Sequence, residues 1–167
     1  MGNYYYLTAQ LPLLQFAQQR EVPSREEFLE EARKWLTPRD FSVLEKVAPE
    51  ETRLFPGEPG VLRQWKRMRE HMRDEIGRWR RSKREGRAYR EGFLPLGKIT
   101  AQNPLAQEQA LLKFQWEWID ERLSGHVFDL GFVILYFLQL QILLRLKSFT
   151  QEEGMKIFEK VCEVNHE

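Results

Sequence analysis

The fold turns on VFDLGFVILYFLQLQILLRL, Val127 to Leu146, the most apolar stretch of a chain in which 31% of residues are charged. A bilayer span needs about twenty predominantly apolar residues. This stretch nearly reaches that length, but Asp129, Gln139, Gln141 and Arg145 interrupt it. A central Asp or Arg alone costs about 2.5–3.5 kcal/mol on insertion scales. The uninterrupted run, Leu130 to Leu138, is only nine residues. A buried helix is therefore expected over a membrane span, with Asp129 as its cap and an end near Lys147. Trp35, Phe41, Trp116, Ile119 and Phe158 are the expected neighbours. Gln139 and Gln141 point in different directions around a helix, so at least one should reach a surface or a partner.

Working outward, no stretch shows sustained period-two alternation, and the whole chain reads as helix. Residues 4–16 read as an irregular first helix limited by Pro12. Ser24 and Glu27 have the spacing of a capping box, and Phe28, Leu29, Ala32, Trp35 and Leu36 follow on one face. Thr37-Pro38 restarts a helix, with Phe41, Leu44, Val47 and Ala48 on its buried side, giving a helical hairpin over 24–48. Residues 49–60 form a linker with three prolines and two glycines.

Residues 61–91 form a basic helical arm. Between Arg63 and Arg90 there are twelve Lys/Arg against four Asp/Glu, a net of +8, while the rest of the chain carries −7. Val61, Trp65, Met68, Met72, Ile76 and Trp79 make a narrow apolar stripe suited to one neighbour. Past Trp79 the arm has almost nothing to bury and is expected to be solvated or mobile. Residues 92–103 read as a loop. Asn103-Pro104 begins another helix, in which Leu105, Leu112, Trp116, Ile119 and Leu123 share one face. Leu111, Phe114 and Trp118 form a second stripe, Lys113, Glu117, Asp120 and Glu121 face solvent, and Gly125 ends it. Thr150 and Glu153 would cap a last amphipathic helix using Phe158, Val161 and Cys162. The expected fold is a single all-α helical bundle over 1–167, with a helical hairpin, a protruding basic arm and a central buried apolar helix.

The residues offer no catalytic set. His71, His126 and His166 are scattered, and Cys162 is the one cysteine, so an intrachain disulfide and a multi-cysteine zinc site are both excluded. His71 and Glu75 stand four apart, but two ligands do not make a metal site, and a solvated pair is expected. No cofactor, metal or small-molecule substrate is expected. A small enzyme would need a pocket with perturbed titratable groups. The N-terminus lacks a signal-peptide pattern, and Tyr6 stands where a myristoylation motif needs Ser or Thr, so a cytoplasmic protein is expected. Arg78, Arg80, Arg81, Lys83, Arg84, Arg87 and Arg90 are the candidate partner-binding residues. They could meet nucleic-acid phosphate, with Trp79 and Tyr89 stacking on bases, an acidic protein surface, or anionic headgroups.

Two segments carry a resemblance, covering about half the chain. YYYLTAQLPLLQF, followed by VPSREEFLEEARKWLTPRDFSVLEKV, and WEWIDERLSGHVFDLGFVILYFLQLQILLRLKSFTQEEG resemble the opening and close of a bacterial family of uncharacterised proteins encoded among V/A-type ATPase genes. The matching positions are Tyr5, Tyr6, Pro12, Phe28 and Asp40, then Trp116, Ile119, Asp120, Phe128, Asp129, Tyr136, Leu140, Ile142 and Arg145. The chain departs from the pattern at Leu13, Leu14 and Gln15, where the family is acidic. That family is itself similar to the C subunit (d in eukaryotes) of rotary ATPases, an all-helical funnel between the membrane rotor ring and the central stalk. The resemblance implies a non-catalytic coupling or assembly component, with ATPase subunits as partners and peripheral contact with the cytoplasmic face of the membrane. The alternative is a nucleic-acid-binding helical protein acting through its basic arm.

Overall fold

The computed structural model describes residues 3–17, 20–100 and 103–149, and these are all-helical. The expected helix over 150–162, with Phe158 and Cys162, lies outside the described residues. Seven helices follow in order: α1 Tyr4–Gln10, α2 Arg25–Trp35, α3 Pro38–Glu45, α4 Gly60–Arg84, α5 Leu96–Thr100, α6 Pro104–Leu123 and α7 Leu130–Lys147.

The decisive stretch is the centre of this bundle. Asp129 caps α7, its carboxylate accepting from the Phe132 amide at 2.7 Å. Ten of the eighteen residues of α7 are buried, including an unbroken run from Val133 to Leu140. By length and composition alone α7 could cross a membrane, with a mean hydropathy of 1.6. Here the chain's own helices α1, α3, α4 and α6 pack around it. From α2, Phe28 stacks on Phe137 at 4.7 Å and on Tyr136 at 5.7 Å between centroids. Phe28 is thus an addition to the expected neighbours, and Trp65 of α4 is wholly buried, edge-on to Trp118 of α6. Gln139 is 3% exposed and donates to Asp120, while half-buried Gln141 donates to the Val47 carbonyl.

The hairpin forms as its local chemistry dictates. Both halves of the Ser24–Glu27 capping box are made, at 3.1 and 2.8 Å. Thr37 caps α3 with Pro38 in the first turn. Ser24→Ala is expected to cost about 1 kcal/mol in urea denaturation, the usual worth of such a cap. The first helix is shorter than expected. It ends at Gln10 because Leu11, the residue before Pro12, is extended. Tertiary bonds hold it instead: the Asn3 amide donates to the Trp35 carbonyl, and the Tyr4 hydroxyl donates to Asp40 at 2.6 Å. Downstream of α1, the Tyr136 hydroxyl donates to the Pro12 carbonyl at 2.8 Å.

Burial, with Asp40 beside Tyr4, raises the pKa of the Tyr4 phenol, and burial alone raises that of Tyr136. An unfolded chain releases these protons near pH 10, about the ordinary tyrosine value, while the folded chain keeps them. The contribution of these two phenols to stability is therefore expected to be level below about pH 10 and to fall above it. Tyr136→Phe should remove that residue's share of the fall, read as thermal midpoints against pH.

Two local expectations are corrected, and the linker gains a role. Leu105 is 45% exposed rather than buried, since it lies in the first turn of α6, ahead of that helix's buried residues. The 92–103 stretch contains the one-turn helix α5, because Leu94, Leu96 and Ile99 are buried and α5 packs on α6. The 49–59 linker is bound along α4. Arg69 donates to the Pro49 carbonyl, Arg73 to Thr52, and buried Lys66 to the Arg53 carbonyl while pairing with Glu58.

Candidate docking site

Most positions that carry the family resemblance have a role inside the fold. Phe28, Ile119, Tyr136, Leu140 and Ile142 are core residues. Trp116 is buried against Phe16 at 5.7 Å. Asp40 accepts from Tyr4 and Thr37, Pro12 accepts from Tyr136, and Asp120 accepts from Gln139. Asp129 caps α7 and contacts His126 Nδ1 at 2.9 Å. Arg145 grips Glu108 through Nε and Nη2, at 3.0 and 2.7 Å.

Tyr5, Tyr6 and Phe128 are different. They are 58%, 53% and 48% exposed, yet they meet in one place. Phe128 lies edge-on to Tyr5 at 5.0 Å, Tyr5 edge-on to Tyr6 at 5.6 Å, and Tyr6 stacks on Trp35 at 5.3 Å. The packing of α1 against α2 and α7 brings these rings together from three parts of the chain. Phe128 also has φ of +51°, a left-handed conformation that costs a bulky residue about 1–3 kcal/mol. Val127 beside it is 67% exposed. Strain that places an aromatic ring in water contributes nothing to the core, and rigid exposed Tyr, Trp and Phe side chains are the usual anchors of protein interfaces.

The basic residues form a hook. Helix α4 ends in a Schellman motif, with the Arg87 amide bonded to the Ser82 carbonyl, the Gly86 amide to the Lys83 carbonyl, and Gly86 at φ +64°. The chain then folds back on its own helix. What fixes it is Glu75, a wholly buried carboxylate that accepts from the Tyr89 hydroxyl at 2.9 Å, the Gly92 amide at 2.7 Å and the Leu94 amide at 3.3 Å. Glu75 is thus not half of a solvated pair with His71, because its carboxylate is turned inward to three donors. Among the described residues no cluster of His, Cys, Asp and Glu could hold a metal ion.

The fold-back collects Arg78, Arg81, Arg87 and Arg90 around one cleft of about 410 Å³. Lys83 lies over the Trp79 ring at 4.9 Å, Arg84 is exposed near the helix end, and Arg80 faces a different cleft. Of these, only Arg87 has an acidic partner within ion-pair reach among the described residues, the exposed Glu85 at 3.3 Å. The hook is therefore an exposed excess of positive charge whose own counter-charges leave it largely unpaired.

Residues 91–166 match the profile of a family described as "Protein of unknown function (DUF2764)". No curated protein and no solved structure matches the chain.

Proposed function

We propose that this protein is a non-catalytic docking component of a V/A-type rotary ATPase, a structural or assembly part resembling the C subunit that lies between rotor ring and central stalk. The observation that carries the reading is the ring cluster in which exposed Tyr5, Tyr6 and Phe128 gather beside half-buried Trp35. Three of its four members are positions of the family resemblance that the packing of the fold leaves unexplained. The aromatic cluster supplies the anchor, and the basic hook supplies steering toward an acidic subunit or anionic headgroups at the cytoplasmic face of the membrane.

The test is affinity purification of the tagged protein from native membranes. The expected result is co-purification with rotor-ring or stalk subunits, with recovery falling as salt is raised because the hook contributes. Phe128→Gly separates docking from folding. Glycine relieves the left-handed strain, so stability should be unchanged or higher by about 1 kcal/mol. Removing the ring should nevertheless reduce co-purification about tenfold, as loss of an interface anchor does. Recovery only as a free monomer from cells holding assembled ATPase would overturn the proposal.

The unpaired arginines also favour a second reading, nucleic-acid binding through the hook. It requires salt-dependent binding of a polyanion that is lost when Arg80, Arg81 and Arg84 become Glu. Absence of binding at low salt would exclude it.

A further inference from the structure

A third surface lies apart from the aromatic cluster and opens beside the arm. A cleft of about 740 Å³ runs between the 49–59 linker, α4, α6 and α7. Its size is that of a small-molecule site. One side is cationic: Arg69, Arg73 and Arg80 follow one another at spacings of four and seven along α4, and Arg145 of α7 joins them. The other side is apolar: Ile76, Leu111 and Leu112 are half-buried there, over the buried floor of Met72 and Ile142.

The charges are unbalanced. Glu108 is engaged by Arg145, and Glu50 is the one other acidic residue in the lining. Arg69, Arg73 and Arg80 have no carboxylate within ion-pair reach among the described residues. Arg69 is half-buried, and its Nε donates to the Pro49 carbonyl at 3.0 Å. Arg73 is tied through Nη2 to the Thr52 hydroxyl at 2.7 Å. Like charges four apart on a helix repel, and a desolvated guanidinium without a carboxylate is costly. Burial lowers the Arg69 pKa, Glu50 partly offsets this, and Arg73 adds to the lowering. A bound dianion would relieve both penalties, and planar guanidinium forks match phosphate oxygens.

We propose that this cleft binds a phosphate-bearing amphiphile, its phosphate held by Arg69 and Arg73 with Arg80 at the rim and its apolar body laid along Ile76, Leu111 and Leu112. Two sources offer that chemistry, a phospholipid with a phosphomonoester headgroup and a nucleotide. The site stands whether or not the docking reading holds, because it uses other residues and is tested with purified protein.

The test is calorimetric titration of the full chain at physiological salt with two probes, dihexanoyl phosphatidic acid below its micelle concentration and ATP. One probe is expected to saturate a single site, and which one does so identifies the source. Arg73→Gln keeps a hydrogen-bonding side chain but removes the charge, and should weaken binding about tenfold or more. Arg80→Gln alters an exposed residue with no ion partner, so it tests the site without threatening the fold, and should weaken binding severalfold. Arg84→Gln, outside the cleft, should change it less than about twofold. Absence of saturable heat from both probes would overturn the proposal. So would equal losses in Arg84→Gln and Arg73→Gln, which would mean diffuse attraction to the arm.

Discussion

Lys66→Met is expected to destabilise the fold by about 3–5 kcal/mol, the usual cost of leaving a buried charge without its partner. Lys66 is 3% exposed. Its ammonium donates to the Arg53 carbonyl at 2.7 Å, pairs with Glu58 and lies over the Phe55 ring at 4.8 Å. Glu58 is nearly as buried, and its Oε2 has no hydrogen-bond partner. Removing the ammonium strands that carboxylate. Replacing both residues is a different experiment, because an apolar pair avoids the desolvation penalty of each ion. The double variant Lys66→Met with Glu58→Leu should regain most of the loss and end within about 1–2 kcal/mol of the parent. Urea denaturation of the four proteins of the cycle reads this directly. A single-variant loss under about 1 kcal/mol, or no recovery in the double, would show that the pair does not fasten the linker to α4. The linker supplies one wall of the arginine cleft, so the double variant also shows whether that wall needs the ion pair or only the packing.

The second large effect is at Glu75. Glu75→Ala is expected to cost about 3 kcal/mol, because three donors lose a charged acceptor and the Leu94 amide is buried. The more specific readout is proteolysis. Residues 85–94 should peel from α4, and trypsin should cut after Arg87 and Arg90 far sooner than elsewhere in the chain. Gly92→Ala reaches the same state by another route, since a Cβ there would collide with Glu75 Oε1. Unchanged trypsin lifetimes in both variants would mean that the hook is held by something other than this carboxylate.

The bundle's centre was legible because α7 depends on local pattern: a nine-residue apolar run, Asp129 as cap and a basic end at Lys147. The caps of α2, α3 and α6 were legible for the same reason, since Ser24, Thr37 and Asn103 each accept from an amide three residues on. Spacing alone misplaces Glu75, because His71 four residues earlier is exposed and is not its partner. A signal was available. Glu75 stands three residues after Met72, in line with the apolar stripe, and an acid on such a stripe needs donors from elsewhere. Helix α5 was hidden by Pro95 and Gly97, which suggest a loop, and forms because packing on α6 outweighs weak local propensity. The aromatic cluster could not be read from spacing at all. Tyr5 and Phe128 lie at opposite ends of the sequence and meet only once α1 packs on α7.

The family resemblance and the fold divide the chain's features between them. Packing and capping explain Phe28, Asp40, Ile119, Asp129 and Tyr136. They leave over an aromatic cluster with a strained member, a hook of largely unpaired arginines and a cationic cleft.

All of this depends on α7 being enclosed by the protein and not by lipid. Amide hydrogen exchange of the purified protein in detergent-free buffer tests that most directly. The expected result is that amides from Val133 to Leu143 are the slowest in the chain and exchange only through global unfolding, accelerating with urea in step with the main transition. Protection of that segment only in detergent or bilayers, with rapid exchange or precipitation in buffer, would contradict the account.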